Sequence, residues 1–446
     1  MKTQIQLSDH FNYKRLLRFS LPTIGMMICT SIYSVVDGFF VSNFAGKTPF
    51  AAVNLIMPFL MIFSTIGLMF GTGGSAIVAK TFGEGDKEKA NQYFSLFVYV
   101  VAILSIILSV IGILFIRPIA VLLGATGKML EDAIIYSRII LLALPFNCLQ
   151  LLFQSFFVTA EKPKMGLIVT ILSGLMNMVM DALLVGLLPQ SYKLAGAAIA
   201  TSLSQVVGGV VPIIYFGKEN DSILKIGKAK FEIKTIIKAA TNGSSEFMSN
   251  ISMSLVGILY NIQLLKYAGE DGIAAYGVMM YVSMIFSAAF LGYSIGTAPI
   301  VGYHDGAKNY DELKCLLRQS LIIIGCFGLS MVLFAEILTT PLTKIFVSYD
   351  ENLMKLTISG FRIFALSFLF MGFSIYGSGF FTALNDGLTS ALISFIRTLV
   401  LQTLMVIILP NIWGIDGIWI SIVVAEIMSL IITIFFLITK KEKYHY

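Results

Sequence analysis

Long apolar stretches separated by short polar breaks dominate the chain. They run at roughly 15–43, 50–80, 92–116, 130–159, 165–188 and 194–217, and again at roughly 236–266, 272–303, 315–346, 355–383, 388–410 and 414–438. Each is near or above the roughly 20 residues an α-helix needs to cross a hydrocarbon core. The breaks carry glycine, proline, asparagine and charge, as in Gly83-Glu84-Gly85-Asp86 and Asn385-Asp386-Gly387. The one sizeable hydrophilic linker falls between the sixth and seventh runs. The pattern predicts an all-α polytopic membrane protein of twelve transmembrane helices, divided as 1–217, a linker at 218–235, and 236–446.

Composition narrows the function classes. Hydrophobic residues make up 57% and charged residues 13%, against about 25% charged in soluble domains. That leaves no room for a large extramembrane domain or a nucleic-acid-binding module. A net charge of +6 is too small to signal a polyanionic partner. Lys14, Arg15 and Arg18 lead into an apolar run from near Phe19 without a small-residue cleavage site, so the start reads as the first membrane helix. Cys29, Cys148, Cys315 and Cys326 have no ligand-like spacing and are expected to be small buried hydrophobes, with no disulfide or metal site.

Where the charges fall matters more than their sum. With both termini on one side, that side collects 21 of the 31 Lys and Arg, the opposite loops hold nine, and Arg397 falls inside a helix. The positive-inside rule then predicts a multi-pass protein of the plasma (inner) membrane with both termini cytoplasmic. Trp413 and Trp419 fall near the outer end of the last helix, where an interfacial belt would put them.

The chain also repeats itself. A shift of 223 residues lays Gly46 on Gly269, Ala51-Ala52 on Ala274-Ala275, and Met61-Ile62-Phe63-Ser64 on Met284-Ile285-Phe286-Ser287. The same register aligns Gly73 with Gly296 and Gly83 with Gly306; further on, Phe156-Phe157 matches Phe380-Phe381 and Gly196 matches Gly417. Six spans per half is an even number, so the halves share an orientation and are related by an axis along the membrane normal. Two pseudo-symmetric six-helix lobes around a central cavity is an alternating-access architecture.

Ionisable groups at membrane depth are costly, so each is a candidate. They are Asp37, Asp181, Glu246, Glu336, Arg397 and Glu426. Asp37 has Tyr260 as its counterpart, so the acid belongs to the first half only. Asn177 and Asp181 are four apart, on one helical face, and offer an amide oxygen and a carboxylate to a cation or a proton. Two acids held together in a low-dielectric site do not both ionise easily. Glu246, about eleven residues into its span, and Gln154 are candidate cavity residues. Glu336 is expected near the interface, and Arg397 and Glu426 as a bridge, with Gln205 matching Glu426 in the first half.

Gly83-Glu84-Gly85-Asp86 and Tyr349-Asp350 resemble the strings of intramembrane aspartyl proteases, but that chemistry needs two touching aspartates, and these fall in loops on opposite sides. Gly83 and Gly306 read instead as helix C-caps. No Walker A, HExxH or nucleophile elbow appears. No enzyme and no bound cofactor are expected.

An ordered set of motifs carries a resemblance over nearly the whole chain: Phe19-Ser20-Leu21-Pro22, Tyr33 to Asp37, Gly83-Glu84-Gly85-Asp86, Asn177 to Asp181, and Leu194-Ala195-Gly196-Ala197-Ala198-Ile199-Ala200-Thr201. In these the chain resembles the multidrug and toxic compound extrusion (MATE) family, in its DinF-like and MepA-like bacterial branch. The resemblance implies a V-shaped pair of lobes that exports small amphipathic or cationic compounds by antiport with H⁺ or Na⁺, with membrane lipids as its surroundings and a monomer expected. It implies a cation site in the N-terminal lobe at Asp37, Asn177, Asp181 and Thr201. Other branches carry acids on the seventh and tenth helices; Glu246 fits the first, but the tenth span at 355–383 has no acid. A flippase for lipid-linked saccharides is the alternative from the same superfamily, and it would favour a strongly basic cavity.

Overall fold

The computed structural model describes residues 5–347 and 350–446. The described residues form helices and no strand. In the first half these are α1 (Tyr13–Phe40), α2 (Lys47–Gly83), α3 (Lys87–Leu122), α4 (Gly127–Thr159), α5 (Pro163–Leu187) and α6 (Lys193–Gly217). The amphipathic α7 (Ile233–Asn242) then precedes α8 (Ser244–Gly306) and α9 (Tyr310–Val347). The remainder is α10 (Glu351–Ala365), α11 (Phe368–Ala383), α12 (Gly387–Phe395), α13 (Gln402–Ile408), α14 (Pro410–Thr439) and the short α15 (Lys441–Tyr444).

Three adjustments reconcile these helices with twelve spans. The 63-residue α8 is two spans joined without a loop, broken at Gly269 where φ is +61°. α10 and α11 form one span bent by 46°. α12 and α13 form another, through a π-helical turn at Ile396–Leu401. The polar break at Gly269-Glu270-Asp271 separates the first pair in the sequence, whereas the other two joints fall inside single apolar runs that stay apolar through a kink.

The duplication is written into the backbone. Non-glycine residues rarely adopt positive φ, yet such conformations recur at matching turns. Gly46 (+106°) matches Gly269 (+61°), Gly85 (+90°) matches Lys308 (+54°), and Glu161 (+59°) matches Asn385 (+60°). This corrects the role of Gly83 and Gly306. Each is the last residue of its helix, but the left-handed position that closes the turn lies two residues on, at Gly85 and Lys308. The two glycines serve a close crossing. A Cβ on Gly83 would collide with the Tyr303 carbonyl, and one on Gly306 with the carbonyl of Lys80, which is the residue matching Tyr303. The pseudo-two-fold axis passes between them, and the Lys80–Asp305 ion pair (2.7 Å) seals the contact.

Two further crossings obey the same symmetry. Gly292 and Gly296 of α8 admit Thr23, Ile24 and Ser20 of α1, while Gly243, the residue matching Ser20, packs on Met69 and Gly73 of α2. All of these contacts lie in the helical halves nearest the termini, so the lobes meet at the terminal side. The segment before α1 adds a strap: the Leu7 amide donates to Glu161 (2.7 Å), and that of Phe11 to Glu312 (2.8 Å). The buried core separates into one cluster drawn from residues 41–239 and another drawn mainly from residues 256–446, which also takes in Leu7 to Met27.

Burial overturns two expectations. Trp413 is exposed, but Trp419 is fully buried beneath Gly360, whose missing Cβ makes room for the indole. Trp419 is thus a core residue and not part of an interfacial belt. Of the cysteines only Cys148 is buried; Cys29 and Cys315 are half-buried and Cys326 is exposed. In a membrane protein the apolar solvent lies outside, so an apolar neighbourhood in sequence does not imply the interior.

Candidate functional site

The N-terminal lobe assembles Asp37, Asn177, Asp181 and Thr201 in one place. Asp37 lies on α1, four residues before a π-helical turn at Val41–Ala45, a distortion frequent at functional positions. Thr201 of α6 donates its hydroxyl to Asp37 Oδ1 (3.0 Å), and Asn177 Nδ2 of α5 donates to Thr201 Oγ1 (3.4 Å). Asp181, one turn beyond Asn177, faces the Asp37 carboxyl. It is completely buried, and among the described residues no N–H group or hydroxyl donates to either of its carboxylate oxygens. The Asn177 Oδ1 atom is likewise unpartnered.

A buried carboxylate without partners is expensive, and two adjacent ones repel. Among the described residues no Lys, Arg or His pairs with either Asp37 or Asp181. What this arrangement can do is hold a positive charge between the acids, either a proton shared by the carboxyls or an alkali cation. For the cation, the carboxylates, the Asn177 carbonyl and the Thr201 hydroxyl supply oxygen donors, the ligand type hard cations take.

Below the acids, toward the terminal side, runs a polar layer. Tyr33 lies beside Thr30 and Gln150. Gln150 donates to Ser173 (3.3 Å), and Ser173 to the Ser204 carbonyl (2.7 Å). Gln154 joins this layer rather than the acid cluster: Nε2 reaches Thr30 Oγ1 (3.5 Å) and Oε1 is unpartnered. Tyr136 of α4, fully buried, lies within electrostatic reach of both Asp37 and Asp181. Sequence reasoning passed over Tyr136, Gln150 and Ser173 because it weighed ionisable groups. An intramembrane tyrosine on the face of α4 that carries Ala133, Ser137 and Ile140 is the signal that was there to use.

The other candidates stand apart from this cluster. The helix breaks at Gly243, so Glu246 occupies the first turn of α8 instead of lying three turns into its span. It is deep all the same, since Gly243 packs against α2 at Met69 and Gly73, roughly 15–20 Å along that helix from its end at 1.5 Å per residue. Its carboxylate has no hydrogen-bond or ion-pair partner among the described residues. Glu336 makes a half-exposed pair with Arg362 (3.4 Å). Arg397 Nε meets both oxygens of Glu426 (3.0 and 2.9 Å) in the C-terminal lobe. Asp86 and Asp350 are helix N-caps of α3 and α10, and Tyr349 lies outside the described residues.

Comparison with known proteins agrees with this architecture. The MatE family profile matches residues 22–183 and again 247–408, once per lobe. The multidrug export protein MepA of Staphylococcus haemolyticus (strain JCSC1435) is 24% identical over 437 residues, covering 97% of this chain and 94% of that protein. Among solved structures, a MATE protein in complex with MaL6 superposes with a TM-score of 0.93 at 22% identity, covering 100% of both chains. The outward-facing conformation of a multidrug resistance MATE family transporter of the MOP superfamily superposes with 0.92 at 22% identity, covering 100% of this chain and 99% of that one. With twelve spans in two duplicated lobes and a family profile matched in each, the chain belongs to the MATE family of multi-pass membrane proteins.

Proposed function

We propose that this protein is a secondary active multidrug exporter, moving small amphipathic or cationic compounds out of the cell by antiport with H⁺ or Na⁺. The observation that carries this reading is the unneutralised acid pair Asp37–Asp181, enclosed by Asn177 and Thr201. Relatives named as multidrug export proteins support the substrate class. The distribution of Lys and Arg supports a plasma-membrane location with cytoplasmic termini.

In this reading the coupling cation is a substrate of the site. It enters from the outer side, lies between the two carboxylates and removes their repulsion. The neutral cluster tolerates tighter packing of α1 against α5 and α6, which drives drug release and the change of lobe arrangement. Separation of the lobes at the terminal side then requires the Gly83–Gly306 crossing and the Lys80–Asp305 pair to open. Release of the cation to the cytoplasm restores the charged pair.

The test is dye efflux from proteoliposomes under an imposed pH gradient or an imposed Na⁺ gradient, one at a time. The gradient that fails to drive efflux is eliminated as the coupling force. Asp37→Asn and Asp181→Asn are expected to insert and fold yet lose coupled efflux at least tenfold. Full transport by both neutral variants would remove the mechanism.

A further inference from the structure

Arg397, the basic group at mid-membrane in the C-terminal lobe, is only partly used by its partner. It donates to Glu426 through Nε alone, and its two terminal amino groups meet no acceptor among the described residues. Nor are those groups sealed by packing: the Arg397 side chain keeps 14% of its exposure while that of Glu426 keeps none. The open face is not the lipid face. Leu388, Leu392 and Phe395 form the exposed edge of α12, and Leu404, Ile407 and Ile408 continue it on α13 beyond the π-helical turn. Arg397 follows Phe395 by two residues, about 200° around a helix, beside the buried Ser394 and Thr398. The backbone is adapted at the same place, since Arg397 lies in the π-helical turn Ile396–Leu401.

A guanidinium is a planar fork of five N–H donors that matches an acidic group in a bidentate manner. Glu426 occupies one donor and cancels the charge, which makes the arginine tolerable at this depth. Four donors remain, and the part-exposed side chain leaves them accessible. The first lobe has nothing of the kind: the positions matching Arg397 fall at residues 173–176, all uncharged, and Gln205 matches Glu426. Around these equivalent spans the two lobes therefore present opposite chemistry, unneutralised carboxylates in the first and unfilled cationic donors in the second.

We propose that Arg397, held in place by Glu426, is a specificity-determining residue that receives the carboxylate of dipolar substrates, amphipathic compounds bearing both a positive and a negative charge. This rests on the exporter reading and deepens it. Because the Arg397–Glu426 pair is neutral overall, it does not repel a plain cation; it adds affinity only for a substrate that brings an acceptor. The amino groups share the arginine between Glu426 and the incoming carboxylate, and no covalent step is involved.

The test compares a matched pair of intrinsically fluorescent probes, norfloxacin and its ethyl ester, which differ in the carboxylate. Binding to the purified full-length protein in detergent is read by fluorescence titration. Two variants are used: Arg397→Lys, which keeps the ion pair but not the fork, and Arg397→Gln combined with Glu426→Gln, which leaves no buried charge unpaired. Affinity for the acid is expected to fall roughly 10- to 100-fold in the double variant, the scale of lost charge-assisted hydrogen bonds, and by a smaller factor in Arg397→Lys. Affinity for the ester is expected to stay within about twofold. Parallel changes for acid and ester, or no change for either, in folded variant protein would overturn the assignment and leave the exporter reading intact. Failure of the wild-type protein to bind either probe would overturn the exporter reading itself, and this assignment with it. If the double variant does not fold, Arg397→Lys decides the matter alone.

Discussion

The two lobes share one backbone plan and treat buried charge in opposite ways. Where the first lobe places Asp37, the second places Tyr260, fully buried, with its hydroxyl 2.8 Å from Ser421 and its ring stacked on Tyr276 at 5.2 Å. Where the first has Gln205, the second has Glu426, and there the carboxylate is met by Arg397. The second lobe thus pairs the acid at this position with a base, whereas in the first, among the described residues, no group donates to either oxygen of Asp181. Duplication copied the scaffold, and divergence placed the adjacent pair of unneutralised acids in one copy, while the second lobe keeps the single acid Glu246 unpaired among the described residues. An unsatisfied acid costs stability that packing elsewhere must offset.

The largest expected effect breaks this contrast in the second lobe. Glu426→Gln removes the partner of a buried guanidinium and is expected to destabilise the protein by about 3–5 kcal/mol. A lowered unfolding midpoint in detergent would register it. Asp181→Asn, in the first lobe, removes a carboxylate that had no partner. It is expected to leave the midpoint unchanged or raised, despite the loss of transport. If both variants fall equally, the two lobes do not differ in the way described.

A smaller effect tests the symmetry itself. Gly83→Ala and Gly306→Ala each drive a Cβ into the facing backbone carbonyl, Tyr303 in one case and Lys80 in the other. Overpacking of this kind costs about 1–3 kcal/mol. Because the contacts are reciprocal, the two substitutions are expected to loosen the terminal side to the same degree. A disulfide engineered between Lys80→Cys and Asp305→Cys reads this out, forming more slowly in both backgrounds. Slowing in one background alone would show that the crossing is not symmetric in energy.

The repeat that exposed this crossing was legible in the sequence, but its purpose was not. Gly83 and Gly306 repeat because two helices touch there, a tertiary fact that a single chain's local pattern does not carry. The bend between Ala365 and Phe368 was hidden for a similar reason, since it leaves the apolar run unbroken, whereas the joint at Gly269 showed as the polar break Gly269-Glu270-Asp271. Trp419 was misplaced because aromatic residues near a helix end suit an interface or a core equally well. The acid cluster was readable because charge is rare in this chain, so Asp37 and Asp181 stood out before any geometry was known. Tyr136 and Gln150 carry no formal charge and did not.

Hydrogen bonds give the next contrast. Thr201→Val removes a donor to the Asp37 carboxyl, a bond to an ionisable group worth about 1.5–3 kcal/mol, while Ser421→Ala removes a neutral bond to Tyr260 worth about 1 kcal/mol. Thr201→Val is expected to change the concentration of the coupling ion needed for half-maximal efflux roughly tenfold. Ser421→Ala is expected to leave that concentration unchanged and lower the unfolding midpoint slightly. Equal shifts in ion dependence would mean that the second lobe shares in coupling.

The smallest effect lies outside the membrane, where equivalent turns carry ion pairs of reversed sign. Lys162, after the fourth span, holds Asp221 of the linker (2.6 Å). The matching Asp386, after the tenth, holds Lys443 (3.7 Å) and Lys440 (3.9 Å) of the C-terminal tail. Burial pushes the Asp386 carboxyl up, but hydrogen bonds from Tyr444 and Thr389 and the charge of Lys443 outweigh it, leaving the group below its ordinary value. A depressed carboxylate contributes stability that is present above its unfolded pKa and lost as pH falls through the folded one. The tail is therefore expected to stay docked at neutral pH and to loosen below about pH 4, the ordinary aspartate range. Asp386→Asn should release it at neutral pH, exposing Lys440 to Lys443 to limited proteolysis by trypsin while leaving drug efflux intact. Protection that persists in Asp386→Asn would mean that Tyr446, packed on Phe380 (5.2 Å) and bonded to the Leu437 carbonyl (3.1 Å), holds the tail without the ion pair.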